Sequence, residues 1–290
     1  MAAAVRPHTL VIYHGRCADG FGAAYAAWKR FGSNASYVGV AYGNRMPLDE
    51  IRGRDVFILD FCFSRAVTEE MAACAKSILV IDHHKTAQTD LAGFPCAIFD
   101  MNKSGARLAW EYFHGAVPIP HILRVVEDRD LWKWALPNSA AYLAYLDMQP
   151  MEFEVWDKLA RMGDKQTAKV CKIGEHMNSK FDSVARSIAC NAEPVELLGH
   201  KGHRVNAPGM FVSKVGELIY EQNNAFALVW YINNGTLGVS LRAKRDAVDV
   251  SELARAFGGG GHAAAAAFKL VVGTQAFHDF MSSVILKRFG

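Results

Sequence analysis

Short apolar segments alternate with helix-like segments through the first half of the chain, and this alternation restricts the fold more than any other feature. The pattern predicts β-strands at Leu10–Tyr13, Tyr37–Tyr42, Val56–Leu59, Ile78–Ile81 and Ala97–Phe99. Segments between them, such as Gly22–Phe31 and Val67–Lys76, predict helices. This order is typical of parallel β-α-β units, so we expect an α/β domain with a doubly wound, mainly parallel sheet.

The second half of the chain has a different pattern. From Glu152 to Cys190 it is polar and helical, which predicts a helical connector. Strands are predicted again at His203–Asn206, Ala225–Ile232 and Leu237–Arg242. The last two are separated by Asn233-Asn234-Gly235, a hairpin signal because Asn and Gly tolerate positive φ. We therefore expect a smaller α+β domain at the C-terminus.

Polar residues stand where four of the predicted strands of the first half end, namely His14, Asp60, Asp82 and Asp100. A single aspartate at a strand end is usually a turn residue. The carboxyl ends of parallel strands converge on one edge of the sheet, which is where open α/β sheets bind ligands. Several acidic residues and histidines at that edge indicate a polar or metal site.

Two short motifs strengthen this prediction. Asp82-His83-His84 directly follows a strand, and Asp19-Gly20 follows His14 in the turn between the first strand and its helix. Glycine there allows the backbone to approach a ligand closely. Carboxylate and imidazole ligands together favour Mn²⁺, Fe²⁺, Co²⁺ or Zn²⁺ over Ca²⁺.

Composition excludes several classes of function. The net charge of the 290-residue chain is +3 with histidine neutral, too small a basic excess to wrap long nucleic acid. The chain has no apolar run near the ~20 residues that a membrane helix needs, and Met1–Pro7 lacks the apolar core of a signal peptide. Its six cysteines form no C-x-x-C pair. We expect free thiols, a cytoplasmic protein and no membrane partner.

In their order along the chain, the motifs resemble those of the DHH phosphoesterases. The matching residues are His14, Asp19-Gly20, Asp60, Asp82-His83-His84 and, in the accessory domain of that family, Gly258–His262. The resemblance covers nearly the whole chain. It implies a DHH metal-binding catalytic domain over residues 1–145, a helical connector over 146–194 and a DHH-associated substrate-binding domain over 195–290.

The resemblance also implies a set of metal ligands. His14 would bind one metal and Asp19 the other, with Asp60 bridging the two and His83 binding the second. The implied cofactor is Mn²⁺, or Mg²⁺, Co²⁺ or Zn²⁺, as one or two ions. A further aspartate is expected in the segment Glu127–Trp132, where Asp128 is preferred and Asp130 is the alternative.

His84 and Asp82 are the implied catalytic residues. His84 would face the scissile phosphate, and Asp82 would orient the two histidines as a hydrogen-bond acceptor, the usual partner of a ligating imidazole. One residue departs from the family pattern: Cys17 stands where an aspartate is common. A thiolate binds Zn²⁺ well and Mn²⁺ weakly, so the first metal site is predicted to be weak, altered in its metal preference, or empty. The alternative is that Cys17 is a small buried thiol.

Substrate-binding residues are implied in the C-terminal half, at Arg242, Gly260, Gly261 and His262. The glycine-rich segment is predicted to open a helix over Ala263–Ala267 and to bind an anion there, aided by Arg242. The following Lys244 and Arg245 could add to that pocket or form a solvated face.

Ser104 and four aromatic residues are further candidates for substrate contacts. Ser104 could contact a phosphate or simply cap a helix. Phe61, Phe63, Trp132 and Trp134 lie next to motif residues and could stack on a base, although aromatic residues in such positions more often belong to the core.

These observations predict a metal-dependent phosphodiester hydrolase. The resemblance is to the short-oligonucleotide (nano-RNA) 3′–5′ exonuclease and phosphodiesterase subgroup, so the expected substrate is a short oligonucleotide or small nucleotide, and a homodimer is possible. One alternative is a catalytically weak nucleotide- or RNA-binding protein, because of Cys17. Another is an inorganic pyrophosphatase or polyphosphatase, which the superfamily also contains.

Overall fold

The computed structural model describes residues 6–15, 17–41, 46–244 and 247–287. The chain divides into two compact units, Met1–Asn178 and Ser179–Gly290. All six cysteines are free thiols. Among the described residues, no helix is long and apolar enough to cross a membrane.

The first unit is built on a five-stranded sheet in which every pair of neighbouring strands is parallel. In spatial order the strands are β2, β1, β3, β4 and β5. Their bounds are β1 Thr9–His14, β2 Ala35–Val40, β3 Asp55–Leu59, β4 Ser77–Asp82 and β5 Ala97–Phe99. The predicted doubly wound α/β domain is confirmed. Each predicted strand is present, although Tyr42, at the predicted end of β2, lies outside the described residues.

Helices cover both faces of this sheet. Their bounds are α1 Ala18–Phe31, α2 Leu48–Ile51, α3 Arg65–Cys74, α4 Lys85–Asp90, α5 Gly105–His114, α6 His121–Asp130, α7 Ser139–Leu146, α8 Phe153–Ala160 and α9 Asp164–Ala189, the last of which continues into the second unit. Side chains of one strand alternate between faces. Val11 of β1 therefore packs with α1, α5 and α6, whereas its neighbours Leu10 and Ile12 pack with α2 and α3.

The segment predicted as a connector contributes to the core of the first unit. Trp156 and Leu159 of α8, and Val170 and Cys171 of α9, are buried in the same cluster as Val11. The boundary between the compact units falls inside α9. Helical periodicity alone could not show which side of these amphipathic helices would be covered.

The second unit contains a six-stranded mixed sheet in the spatial order β10, β11, β9, β8, β7 and β6. Neighbouring strands are antiparallel except for β7 and β8. The bounds are β6 Glu193–Leu197, β7 His200–Asn206, β8 Phe226–Asn233, β9 Thr236–Arg242, β10 Gly260–His262 and β11 Ala265–Val271. The helices are α10 Val212–Asn223, α11 Val250–Arg255 and α12 Gln275–Phe280. The predicted α+β domain is confirmed.

The turn between β8 and β9 forms as its sequence predicts, with φ of 47° at Asn234 and 70° at Gly235. The prediction for the glycine-rich segment is wrong. Ala263–Ala267 does not begin a helix, because Ala265 starts β11, which pairs along its whole length with β9. Sheet pairing outweighs the helix propensity of alanine here, so a helix dipole cannot contribute to anion binding at this place.

Candidate metal centre

The candidate site lies at the carboxyl edge of the parallel sheet. β1 has β2 on one side and β3 on the other, and chain connections leave in opposite directions at such a switch point. His14 ends β1, Asp60 follows β3, and Asp82 ends β4. The structure therefore places these three residues on the edge that the strand pattern indicates. Asp100, after β5, instead binds the backbone and side chain of Asn102 in a turn.

Three carboxylates converge on one imidazole nitrogen. His83 Nε2 is 3.2 Å from Asp60 Oδ1, 3.5 Å from Asp130 Oδ2 and 3.6 Å from Asp19 Oδ2. Ligand atoms of Asp19, His83 and Asp130 all lie within 4.8 Å of one another. Oxygen and imidazole ligands at this spacing suit a first-row divalent cation.

Asp60 provides the test of whether the site fits a cation. Its side chain is 1% exposed, and among the described residues its oxygens face the imidazole nitrogens of His14 at 3.5 Å and His83 at 3.2 Å and accept no hydrogen bond from a backbone amide. A buried carboxylate without such partners is costly unless a cation compensates it. Burial raises the pKa of Asp60, but the neighbouring imidazoles of His14 and His83 outweigh burial and hold it below the ordinary value. Asp60 is therefore a buried anion stabilised by neighbouring positive charge, a role that a bound cation could share.

Asp19 is held in place by the start of α5. The amides of Gly105 and Ala106 donate to its two oxygens at 2.6 and 2.9 Å. Burial raises its pKa well above the ordinary value, and repulsion from the carboxylates of Asp60 and Asp130 raises it further. A divalent cation among the three would relieve this repulsion, so the residues present fit the metal that the sequence predicts.

A second group of possible ligands shares Asp60. Ligand atoms of His14, Cys17 and Asp60 lie within 4.8 Å of one another, and His14 Nδ1 is 3.5 Å from Asp60 Oδ2. Hydrogen bonds to Asp60 and Cys17 raise the pKa of His14 to about 10. Asp60 also has a ligand atom within 4.8 Å of one of His83, so its position between His83 and the pair His14 and Cys17 suits the predicted bridging role. Cys17 is half-buried beside this group and is not a core residue.

Asp82 and His84 lie beside the metal-site residues, since ligand atoms of Asp60, Asp82, His83 and His84 are all within 4.8 Å of one another. Asp82 is fully buried, and its Oδ1 accepts the amide of His83 and lies 2.7 Å from Nδ1 of His84. The hydrogen bond that His84 donates to Asp82 raises the pKa of His84. With Nδ1 directed at Asp82, the Nε2 atom of His84 is left for another group. The predicted orienting contact between these residues is present.

The two aspartates at the end of α6, Asp128 and Asp130, have their carboxylates in different surroundings. Asp130 joins His83 and Asp19, as described above. Asp128 does not: its carboxylate accepts the amides of Ala135 and Leu136 at 2.8 and 3.2 Å. Burial raises the pKa of Asp128, but hydrogen bonds from Ser139 and from those amides outweigh burial and hold it below the ordinary value. The preference for Asp128 as the ligand is thus corrected in favour of Asp130.

Ser104 is fully buried at the N-cap of α5, where its hydroxyl accepts the amide of Arg107 at 3.3 Å. It also hydrogen bonds to Asp19 and so lowers the pKa of that carboxyl. Ser104 therefore positions a metal-site carboxylate, and burial separates it from a substrate phosphate. Of the two roles predicted for Ser104, the structure therefore favours the helix cap over the phosphate contact.

The sequence placed Gly105 in a possible phosphate-contacting segment with Ser104, Ala106 and Arg107, but did not show its close approach to Asp60. A Cβ atom at this position would lie 2.5 Å from Cβ of Asp60 and 2.7 Å from its Oδ1. Only glycine lets the start of α5 come this close to the buried carboxylate. Gly20 likewise allows a close approach, of α1 to the end of β1, because a Cβ there would lie 2.2 Å from the carbonyl oxygen of His14. The sequence signal that could have identified Gly105 is its position directly after Ser104, the predicted cap residue.

The predicted substrate-binding residues of the second unit share one end of its sheet. Arg242 of β9 pairs with Ala265 of β11, which pairs with His262 of β10. Directly paired residues project from the same face of an antiparallel sheet, so Arg242 and His262 share a face about 10 Å apart. Arg242 is half-buried and donates to Ser213 Oγ at 3.1 Å.

The rest of the glycine-rich segment is accessible. Gly260, Gly261 and His262 are all exposed, and so is Lys244. Arg245 lies outside the described residues.

The four candidate stacking residues fall into two classes. Phe61 and Phe63 are 1% and 6% exposed and belong to the core. Trp132 and Trp134 are exposed, and both have positive φ, 54° and 49°. For a bulky side chain such a conformation costs about 1–3 kcal/mol and persists only where surrounding contacts impose it.

The sequence has matches among known proteins. Residues 204–285 match the DHHA1 domain family. Protein R106 of Acanthamoeba polyphaga mimivirus, which is uncharacterised, is 29% identical over 320 aligned positions, covering 97% of this chain and 72% of the viral protein.

Solved structures share the fold at low sequence identity. The DHH domain of a member of a family of ribosomal proteins has a TM-score of 0.63 at 14% identity and covers 98% of this chain and 88% of its own. RecJ of Thermus thermophilus in complex with Mn²⁺ has a TM-score of 0.57 at 13% identity, with 96% of this chain and 51% of RecJ covered. The pGpG-specific phosphodiesterase PggH of Vibrio cholerae has a TM-score of 0.52 at 14% identity, with 91% and 94% covered.

Proposed function

We propose that the chain, whose residues 204–285 match the DHHA1 domain family and whose fold is shared with solved DHH-domain structures, is a metal-dependent phosphodiesterase acting on short oligonucleotides or small nucleotides. The observation that carries the proposal is the convergence of the carboxylates of Asp19, Asp60 and Asp130, of which the first two are buried, on Nε2 of His83. Such a site is built for a cation, and divalent cations assist phosphodiester hydrolysis.

The proposed ligands of one metal are Asp19, Asp60, His83 and Asp130. A second metal would be held by His14, Cys17 and the shared Asp60. When bound, Mn²⁺ or a similar ion lowers the pKa of water and neutralises charge on phosphoryl oxygens. RecJ, which shares the fold, was solved with Mn²⁺, and this supports manganese as the first metal to test.

The remaining site residues have positioning and binding roles in this proposal. Asp82 holds Nδ1 of His84, so Nε2 can donate a proton or hydrogen bond to an oxygen of the scissile phosphate. Gly105 and Ala106 fix Asp19 through their amides. Arg242 and His262 of the second unit remain predicted to bind a phosphate or base.

Substrate size is the finer part of the proposal. PggH is a pGpG-specific phosphodiesterase, and the low net charge of this chain agrees with short substrates. The test is hydrolysis of a labelled RNA ladder, from the dinucleotide to long single strands, in Mn²⁺, Mg²⁺, Zn²⁺ or EDTA. We expect metal-dependent loss of the shortest species first, with release of mononucleotides. Pyrophosphate and polyphosphate serve as parallel substrates, and faster hydrolysis of these would reject the proposal.

Matched variants show whether the reaction belongs to this site. Asp60→Asn and His83→Ala should abolish metal-dependent turnover. Asp100→Asn is the control, because Asp100 also follows a strand of the same sheet but, among the residues that the structure describes, contacts its own turn and Lys103 and no site residue. Wild-type rates in both site variants would contradict the assignment.

Cys17 supports a second candidate, a nucleotide-binding protein with weak catalysis. The thiol lies where a hard oxygen ligand would suit Mn²⁺ better. Cys17→Asp separates the candidates. A rise in the Mn²⁺-dependent rate would mean that the first metal position is impaired in this protein. An unchanged or lower rate would mean that the cysteine is a working ligand.

A further inference from the structure

Two tryptophans form an exposed pair directly after the metal centre. Trp132 is 64% exposed and Trp134 40% exposed. Their ring centroids are 5.3 Å apart, and the ring planes are inclined at 78°. Large aromatic surface left in water lowers stability relative to burial, so its position calls for an explanation other than folding.

The backbone that carries this pair is held in an unfavourable conformation by one buried residue. Trp132 and Trp134 both have positive φ. The carbonyl oxygen of Asp128 accepts the amides of Lys133 and Trp134, and its carboxylate accepts those of Ala135 and Leu136. Four consecutive amides are thereby fixed by Asp128, so the rings are presented in a defined place.

A second contact fixes the same loop, residues 132–136, which we call the tryptophan loop. Lys133 Nζ lies 3.6 Å from Glu127 Oε1, and Glu127 is a buried residue. The same oxygen accepts from Arg107 at 3.1 Å, and Arg107 belongs to α5, whose first amides hold Asp19. The tryptophan loop and the Asp19 carboxylate are thus tied to the same helix.

The pair also lies close to the reacting centre. Asp130, whose Oδ2 is 3.5 Å from His83 Nε2, precedes Trp132 by two residues. Two residues of extended chain span at most ~7 Å, so the Cα atom of Trp132 lies within that distance of the Cα atom of Asp130.

We propose that Trp132 is a stacking platform for a nucleobase of the substrate, with Trp134 supporting the ring from the side. This inference rests on the proposed phosphodiesterase function and specifies its substrate class: molecules in which a base lies next to the scissile phosphate, as opposed to inorganic polyphosphate chains. Stacking on tryptophan accepts any base, so the platform favours nucleotides without selecting a sequence.

The size of the effect follows from known stacking energies. Alanine substitution of a stacking aromatic weakens binding of one base by roughly 5- to 150-fold. The effect should appear in binding and KM, because the ring contacts the base in the ground state and the transition state alike, and kcat should change little.

Binding of AMP and of ribose 5-phosphate to the Mn²⁺-loaded protein tests the platform independently of turnover. Both ligands carry the same phosphate, so the ratio of their dissociation constants, measured by calorimetry, reports the base. We expect the wild-type protein to prefer AMP by about 5- to 150-fold, and Trp132→Ala to abolish this preference. Trp132→Phe should retain part of it. Tyr112→Ala is the control, because Tyr112 is also an exposed aromatic residue, 49% accessible, but lies on α5.

A turnover assay completes the test. Trp132→Ala should raise KM for a dinucleotide and leave the hydrolysis of a baseless analogue unchanged. An AMP preference that persists in Trp132→Ala, or that is absent from the wild type, overturns the stacking inference. A preference that disappears in this variant while no phosphodiester is cleaved by the wild type supports stacking and rejects the proposed function.

Discussion

Asp128 and Asp130 stand two residues apart at the end of α6, yet their carboxylates serve different parts of the molecule. Asp130 Oδ2 lies 3.5 Å from His83 Nε2 in the candidate metal centre. Asp128 accepts the amides of Ala135 and Leu136 in the tryptophan loop. Residues two apart on a helix project in different directions, about 200° from each other, so one carboxylate reaches the sheet edge and the other the loop.

This division predicts opposite phenotypes for two isosteric substitutions. Asp130→Asn should weaken Mn²⁺ binding by more than about 100-fold, with little change in stability. This exceeds the roughly 10- to 100-fold loss that follows when only a hydrogen-bond partner of a metal ligand is removed. Asp128→Asn should destabilise the fold by about 2–3 kcal/mol, because an amide cannot accept from both backbone donors, while Mn²⁺ affinity is retained. Calorimetric titration with Mn²⁺ and chemical unfolding measure the two properties. Equal loss of Mn²⁺ affinity in both variants would contradict the division.

Gly105→Ala should damage the metal centre without removing any ligand. The new methyl group would lie 2.5 Å from Cβ of Asp60, which is buried and cannot move freely. We expect a loss of about 1–3 kcal/mol in the free energy of unfolding and a clear decrease in Mn²⁺ affinity. Gly163→Ala is the matched control, since a Cβ there meets no atom within 4 Å. Unchanged metal affinity in Gly105→Ala would show that Asp60 does not depend on this close approach.

Asp82→Asn tests the orientation of His84. The variant keeps the shape of the side chain but loses the charged acceptor that lies 2.7 Å from Nδ1 of His84. We expect kcat to fall by about 10- to 100-fold while KM changes little, since the residue acts through His84 and does not contact substrate. Steady-state kinetics on a dinucleotide measure both. A change confined to KM would place Asp82 in substrate binding instead.

Asp157 should contribute stability that depends on pH. It accepts hydrogen bonds from Tyr25 at 2.9 Å and Lys29 at 2.8 Å and pairs with Arg161. Burial raises its pKa, but these partners outweigh burial and hold the pKa below the ordinary value of 3.8. Because the folded pKa is lowered, the stabilisation is complete above the unfolded pKa and is lost as the pH falls through the folded value.

Asp157→Asn should accordingly lower the free energy of unfolding by about 2–4 kcal/mol at neutral pH. The difference from wild type should shrink below about pH 4, as the wild-type carboxyl protonates. Urea unfolding at a series of pH values measures this. Asp147→Asn is the control: Asp147 also pairs with an arginine, Arg129, but its side chain is 53% exposed, so its loss should cost less than about 1 kcal/mol. A constant difference between wild type and Asp157→Asn across the pH range would contradict the assignment.

Local sequence determined the parallel-sheet domain and most of the metal centre. Apolar runs of strand length alternating with helices require β-α-β units, and the residue that follows such a strand must lie at the carboxyl edge of the sheet. His14, Asp60, Asp82 and His83 were identifiable for this reason. The Asn234-Gly235 turn was equally local, because both residues accept positive φ at little cost.

Contacts between distant parts of the chain determined the features that the local sequence pattern could not predict. Both Asp128 and Asp130 are acidic residues at a helix end, and only the packing of α6 selects which one reaches His83. The alanines after Gly261 favour a helix by themselves, but pairing of β11 with β9 makes them a strand. The buried amides that hold Asp19 come from α5, 86 residues further along the chain. Periodicity reports which side of an element is apolar; it carries no information about which distant element covers that side, because that choice depends on contacts formed only in the folded chain.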